Sequence, residues 1–380
     1  SMLPRILSAQ AVRAASRQAS KRAMSVALPE VGDISTYPGR TSNAGITATV
    51  FGATGFAGRY VVEALASAGC RCVVPYRGGD MEVRHLKVQG DYGRVVPMPF
   101  SPRDRDSLVE VMQHSDVVIN LVGKYYATKH VLPMWTNYTL EDTNCKVPAA
   151  IASVAKDLGI ERFIHVSSLN AHPSHPSEFG RQKARGEDAV RELLPSSTIV
   201  RPAIMYGHED RFLNWIALWN QRIGPVLLVD GGQAKMQPVC VTDLAETIVR
   251  CLKAPELTEG KAINLAGEAV YTYREIVEYV FAMTRRPPYM LDIPAPIMKV
   301  MATGMSVMPG PWTTPDEVEA NRHDNTLETA LWDEHTLTAA DLQLKPVEME
   351  RYAFNFLHRY RLFGHFSNKE ATDFLSRQNL

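Results

Sequence analysis

A β-branched run, Ile46-Thr-Ala-Thr-Val-Phe51, leads directly into Gly52-Ala-Thr-Gly55-Phe-Ala-Gly58 and then a helical stretch, Arg59 to Ala68. Gly52 permits a tight turn, Gly55 lets the backbone approach a pyrophosphate, and Gly58 lets the helix lie close to the strand. The free N–H groups at the helix start, with the helix dipole behind them, favour an anion there. A glycine triplet alone is a weak sign and a bare turn competes with it; the strand before and helix after make it strong. The loop therefore contributes Gly52, Thr54, Gly55, Phe56, Ala57 and Gly58 as candidate contacts to a nucleotide.

Strand and helix patterns then alternate. Strands are expected at Arg71–Tyr76, Val95–Met98, Asp116–Leu121, Arg162–Ser167 and Thr198–Arg201, and helices at Arg105–His114, Val147–Leu158 and Phe179–Leu194. Such alternation implies a parallel sheet with right-handed crossovers, and its apolar strands suit a sheet covered on both faces. The expected fold is α/β, a Rossmann-type doubly wound parallel sheet with a smaller C-terminal α/β lobe and an extended tail. Its boundaries fall at 46–205 for the nucleotide domain, 206–285 for the lobe and 286–380 for the tail. Past Arg201 the pattern loosens. Helices are expected at Leu244–Leu252, Tyr273–Met283, Thr338–Leu342 and Val347–Tyr360, and a strand at Ala262–Leu265. Arg286 to Thr314 carries eight prolines and glycines and reads as irregular.

The second strand decides which nucleotide is preferred. An acid about 20 residues past the glycines would bind a ribose 2′-hydroxyl. This chain has Pro75-Tyr76-Arg77-Gly78-Gly79 there. An acid would repel a 2′-phosphate, whereas arginine binds it with charge-assisted contacts. Arg77 therefore points to NADP(H), with Arg59 as a second candidate cation. Asn120, Leu121 and Gly123 end the fourth strand and should lie beside the cofactor.

Composition excludes other classes. The 380 residues hold 41 basic and 41 acidic side chains, so the net charge is zero, which argues against nucleic-acid binding through bulk positive charge. No apolar run of about 18 residues predicts a membrane-spanning helix; Val300–Trp312, the nearest candidate, is broken by glycine and prolines. The five cysteines, Cys70, Cys72, Cys145, Cys240 and Cys251, show no metal-like spacing and read as free thiols in a reducing compartment. Residues 1–29 contain Arg5, Arg13, Arg17, Lys21 and Arg22 with no acid before Glu30, the pattern of a mitochondrial or chloroplast transit segment. Residues 30–45 read as an extended arm.

The glycine pattern resembles that of the short-chain dehydrogenase/reductase superfamily in its extended or atypical branch. Ile164-His-Val-Ser-Ser168, Ile199-Val-Arg-Pro202 with Tyr206-Gly207, Gln237 to Ala245 and Ile263 to Gly267 resemble further segments of that branch, together spanning about residues 46–285. The resemblance implies that Ser167, Lys183, Pro202 and Ile204 lie along the nicotinamide half of the cofactor. Active members use Tyr-x-x-x-Lys, whose two residues lie one helical turn apart. The matching run here is Phe179-Gly-Arg-Gln-Lys183. Phenylalanine keeps the ring and loses the titratable group, and positioned acid–base groups contribute about 10² to 10⁴ in rate. Lys183 retains a ribose-binding task, so the site is expected to bind a nucleotide without turning it over, and no catalytic residue is assigned.

Later stretches narrow the resemblance. Gly55 to Val62, Gln89 to Gly93, Tyr279 to Met283, Pro287 to Pro296, Pro311 to Val318 and Asp341 to Leu344 together resemble the dehydrogenase-like accessory subunits of mitochondrial respiratory complex I, over about residues 44–362. That resemblance implies NADPH bound without redox duty and a role in assembly and stability. It implies partners in the matrix arm and its junction with the membrane arm, near the quinone site. The expected location is peripheral, on the matrix side of the inner membrane, with contact to lipid. Met298, Met301, Met305 and Met308, three or four apart, suit a partner surface or this domain's own core equally. Two other readings compete: an active atypical reductase using Lys183 or one of His172 and His175, and an organellar RNA-binding protein on the same scaffold.

Overall fold

The computed structural model describes residues 44–129, 136–306, 310–333 and 335–361. The expected transit segment, most of the arm, Met308 and the end of the tail lie outside the described residues.

Eight parallel strands form the central sheet. They are β1 (Thr47–Phe51), β2 (Arg71–Tyr76), β3 (Val95–Pro99), β4 (Val117–Asn120), β5 (Arg162–Val166) and β6 (Thr198–Pro202), with two later strands described below. Their order is 3-2-1-4-5-6 before the additions. The order reverses between β1 and β4, and a sheet of this topology leaves its ligand crevice at the carboxyl ends of the strands beside that switch. Helix α1 (Phe56–Ser67) covers one face, its Val61, Val62 and Leu65 fully buried against the strands. Helices α2 (Arg105–Met112), α3 (Val147–Asp157) and α4 (Glu178–Leu193) cover the other, where Leu108, Ile151, Phe163 and Val190 make a second core.

The region past Arg201 is more ordered than its sequence pattern. A helix not expected there, α5 (Leu213–Arg222), buries Leu213, Ile216, Ala217 and Asn220 on one face. Strand β7 (Val226–Val229) follows it, then α6 (Val241–Lys253), β8 (Ala262–Leu265) and α7 (Tyr273–Thr284). Within the stretch expected to be irregular, β9 (Met290–Ile293) pairs in parallel with β7, and α8 (Ala295–Met305) begins after Pro294. Pro296 sits in its first turn, where a missing N–H costs nothing. Met298 and Ala302 of α8 pack on Val318, in α9 (Pro315–Ala320), while Met301 is 43% exposed, so the methionines divide between core and surface.

The expected helix over Thr338–Leu342 is absent. Leu337–Thr338 instead forms β10, pairing with Ile263–Asn264 at the edge of the main sheet. Thr338 donates through both its N–H (2.7 Å) and its hydroxyl (2.9 Å) to the Asp341 carboxylate, which closes a turn where a helix would have begun. The last expected helix is α10 (Met349–Leu357), ending in a 3-10 turn at His358–Tyr360. The described residues after 286 thus pair with the edge of the main sheet and pack on α5, β7 and α7.

Val347, expected inside that last helix, donates its N–H to the buried Asp243 carboxylate on α6 at 2.9 Å. Burial pushes the Asp243 carboxyl up to about 6. The folded chain therefore holds that proton more tightly than the unfolded chain, whose value is about 3.9. The sign follows: this carboxyl's contribution to stability is greatest below about pH 4, falls as pH rises toward about 6, and is flat above. Asp243→Asn keeps the acceptor for Val347 and should flatten this slope relative to the parent, as thermal midpoints between pH 4 and 7 will measure. Asp210, buried and also near 6, keeps a slope of its own in both proteins.

Candidate functional site

The turn after β1 has the geometry that its glycines predict. Gly52 has φ +79°, and a Cβ there would lie 3.1 Å from the Leu121 backbone at the end of β4. A Cβ on Gly58 would lie 2.4 Å from both Ala53 Cα and the Gly52 carbonyl oxygen. Helix α1 thus sits against the turn as closely as backbone permits. Gly55 is its N-cap, with no side-chain cap and no acid in the first turn. Side chains do cap α2 (Asp104), α4 (Ser177) and α7 (Thr272 with Glu275, a capping box). The α1 terminus keeps free N–H groups, and nothing in its first turn repels an anion.

At the carboxyl ends of β4 and β5 two polar groups converge without full partners. Ser167 is 6% exposed and its hydroxyl makes no hydrogen bond among the described residues. Lys183, on α4, is fully enclosed. Its Nζ donates to the Val166 carbonyl at 3.2 Å and lies against Gly123, where a Cβ would come within 2.7 Å of it. Burial lowers its ammonium to about 8, partly offset by Glu187 one turn further along α4. A lysine with three donors and one carbonyl partner, beside an unpaired serine, suits a ribose with its hydroxyl oxygens. These features fit a dinucleotide, with the pyrophosphate at α1 and the second ribose at Lys183.

Several expected contacts are differently placed. The Asn120 amide is consumed internally: Nδ2 meets His165 Nδ1 at 3.2 Å, and Oδ1 accepts the Val122 N–H at 3.0 Å. It shapes the turn leading to Gly123. Arg59, the second candidate cation, pairs with Glu209 at 3.5 Å, so its charge is compensated from the loop after β6. Arg77 stands exposed at the tip of β2 as expected. Phe56 packs its ring on Gly207 and meets Tyr60 edge-on at 5.8 Å. Pro202 and Ile204 lie at the carboxyl edge, each giving a backbone carbonyl to a neighbouring segment, at Leu169 and Val239 respectively.

Sequence reading missed Asn144. It lies in a π-helical turn, Asp142–Lys146, at the start of α3. Its side chain accepts the Lys124 N–H (3.2 Å) and donates to the Lys124 carbonyl (2.9 Å), holding the segment beside Lys183. A Cβ on Gly186 would lie 2.2 Å from the Asn144 carbonyl, so that glycine admits the turn. The pair was visible in sequence only as two unremarked residues far apart.

Distant segments of the chain meet at the start of α4. The Phe179 ring stacks on Tyr125, centroids 4.2 Å apart and 28° from parallel. Asp316 of α9 accepts the backbone N–H groups of Glu178 and Phe179, adding a carboxylate to the start of α4. Trp312 packs against Trp215 and Trp219, and Arg211 donates to the Pro311 carbonyl at 3.1 Å. Residues 311–316, part of the expected tail, therefore pack between the start of α4 and α5.

The NAD dependent epimerase/dehydratase family matches residues 48–266. The chain is 42% identical over 346 residues to the mitochondrial NADH dehydrogenase (ubiquinone) 1 alpha subcomplex subunit 9 of Arabidopsis thaliana, covering 88% of this chain and 84% of that protein. The chain belongs to this family, among the homologues of alpha subcomplex subunit 9. It is also 37% identical over 336 residues to the mitochondrial NADH-ubiquinone oxidoreductase 40 kDa subunit of Neurospora crassa, covering 88% and 85% of the two chains. Among solved structures, an epimerase of Methanothermobacter thermautotrophicus matches with a TM-score of 0.61 at 15% identity, over 84% of this chain and 93% of that one. Likeness at that identity shows the shared epimerase/dehydratase fold. The family match ends at residue 266, so β9 to α10, which bring Asp316 onto α4 and Val347 onto α6, are built beyond it.

Among the described residues no helix is long and apolar enough to cross a membrane, and no group of three or more His, Cys, Asp or Glu could hold a metal ion. All five cysteines are unpaired, four of them buried.

Proposed function

We propose that this chain is a non-catalytic accessory subunit of mitochondrial NADH:ubiquinone oxidoreductase, complex I, that holds NADPH as a structural element. The observation that carries the reading is the extended identity, 42% over 88% of the chain, to a protein named as a subunit of that enzyme. Its partners are other complex I subunits of the matrix arm and its junction with the membrane arm, near the quinone site. Its location is the matrix side of the inner membrane, held peripherally.

Support for a non-catalytic site comes from Phe179. It stands one helical turn before Lys183, where active relatives carry the proton-exchanging tyrosine, and a benzyl ring holds no proton to give. Its ring is held in a stack on Tyr125 and its backbone N–H by Asp316, so the position is occupied by a fixed apolar ring. Support for NADPH comes from Arg77 at the strand tip that receives the adenosine ribose. A ligand held only by the folded chain stabilises it by mass action, which suits a subunit whose duty is to keep a shape. The test is to denature the purified protein, identify the released nucleotide, and offer the intact protein carbonyl and quinone acceptors. Stoichiometric NADPH that no acceptor oxidises supports the reading. Steady oxidation would overturn it.

Lys183 makes a further prediction. Its folded-state value near 8 lies below the ordinary lysine value of 10.5, so burial favours the neutral amine. The empty fold should gain stability as pH rises from about 8 toward 10. Lys183→Met should remove that slope, raise the thermal midpoint of the nucleotide-free chain at pH 7, and weaken nucleotide retention at least about tenfold. Differential scanning fluorimetry with and without NADPH reads both effects.

A further inference from the structure

At the tip of β2 cations gather outside any ion pair, and the acid beside them, Glu82, lays its carboxylate against Gly78, the residue after Arg77. Arg77 places its guanidinium carbon 5.4 Å from the centre of the Tyr138 ring. Arg103, from the loop between β3 and α2, reaches the same ring at 4.3 Å and donates to the Asn137 carbonyl. Lys124 is close enough to Arg77 for that charge to add to burial in lowering its ammonium. Among the described residues neither Arg77 nor Arg103 forms an ion pair. Their neighbours differ: Arg105 pairs with Asp157, Arg94 with Asp91 and Arg59 with Glu209.

Two exposed guanidiniums drawn to one ring repel each other, and water screens that repulsion only in part. Leaving them uncompensated is useful where an anion arrives with the ligand. The anion best matched to two planar forks is a phosphate monoester, which offers three acceptor oxygens and close to two negative charges. The carboxyl tip of β2 is also where the adenosine ribose falls in a sheet of this topology.

We infer that Arg103 is a second ligand of the nucleotide 2′-phosphate, and that Tyr138 is the brace that sets its guanidinium beside that of Arg77. This rests on the NADPH reading and names residues that it leaves unassigned. Arg103 lies 26 residues beyond Arg77, on a different loop, so no local motif connects them. The recognition is assembled by the fold.

The test is a titration of the nucleotide-stripped full chain with NADPH and with NADH, followed by nucleotide fluorescence. Arg103→Ala should raise the NADPH Kd about 10- to 100-fold, the scale of one lost charge-assisted contact, and move the NADH Kd less than about threefold. Arg103→Lys should recover part of the loss. Tyr138→Leu should raise the NADPH Kd by less than Arg103→Ala does. Arg105→Ala, a charge loss two residues away at an ion-paired site, should leave the ratio of the two Kd values unchanged. If the parent prefers NADPH and Arg103→Ala leaves the ratio unchanged, the Arg103 assignment is wrong while the NADPH reading survives. If the parent does not prefer NADPH, the nucleotide reading itself falls and the role of Arg103 falls with it.

Discussion

Glu187→Ala is expected to cost about 3–5 kcal/mol of folding stability, the loss seen when one partner of a buried ion pair is removed. Glu187 lies on α4 one turn beyond Lys183, and Arg201 lies in β6. Arg201 Nε donates to both carboxylate oxygens at 3.0 and 3.1 Å, and Nη2 adds a 2.6 Å bond. The side chains are 3% and 2% exposed, so water cannot replace a lost partner. Arg201 Nη1 also donates to the Leu331 carbonyl at 3.3 Å, and Asn264 meets the same carbonyl at 2.9 Å. One buried arginine therefore ties the helix bearing Lys183, the sheet and the chain beyond residue 330 together. Replacing both partners by apolar residues, as Glu187→Leu with Arg201→Met, should cost much less than either single change, because neither charge is left stranded. Urea unfolding of the four proteins closes the cycle, and equal losses for the single and double variants would contradict it.

Gly58→Ala should abolish nucleotide retention, weakening binding more than about 100-fold, and should cost about 1–3 kcal/mol of stability. The added methyl would meet the Ala53 Cα and the Gly52 carbonyl oxygen at 2.4 Å. Both are backbone atoms, so no rotamer change relieves the clash, and α1 must move off the turn that presents its N–H groups. Gly79→Ala is the matched control: a Cβ there meets nothing within 4 Å, and its φ of −76° suits any residue. Retained NADPH, measured after gel filtration, should be lost in the first variant and kept in the second.

The half of the fold that positions the nucleotide was legible in sequence because its signals are local. β2 and β8 fall where their apolar runs place them, and the glycine turn carries its geometry in adjacent residues. What was illegible depends on partners far along the chain. Two residues make β10 only because Ile263–Asn264 offer an unpaired edge. Arg59 looks like a free cation until Glu209, 150 positions later, is brought beside it. The Asp316 contact on α4 spans 137 residues from Phe179, so the stretch that reads as an extended tail carries no local sign of packing on α4. The helix at Leu213–Arg222 was hidden by polar and tryptophan residues on a short amphipathic segment.

The proposal that the chain serves complex I is tested most directly by its native size in gently solubilised mitochondria. The account predicts that the chain co-migrates, on a native gel, with NADH dehydrogenase activity in a large assembly, and that NADPH is recovered from that band. Migration as a free species near its own 42.3 kDa, with no share in the active band, would contradict it.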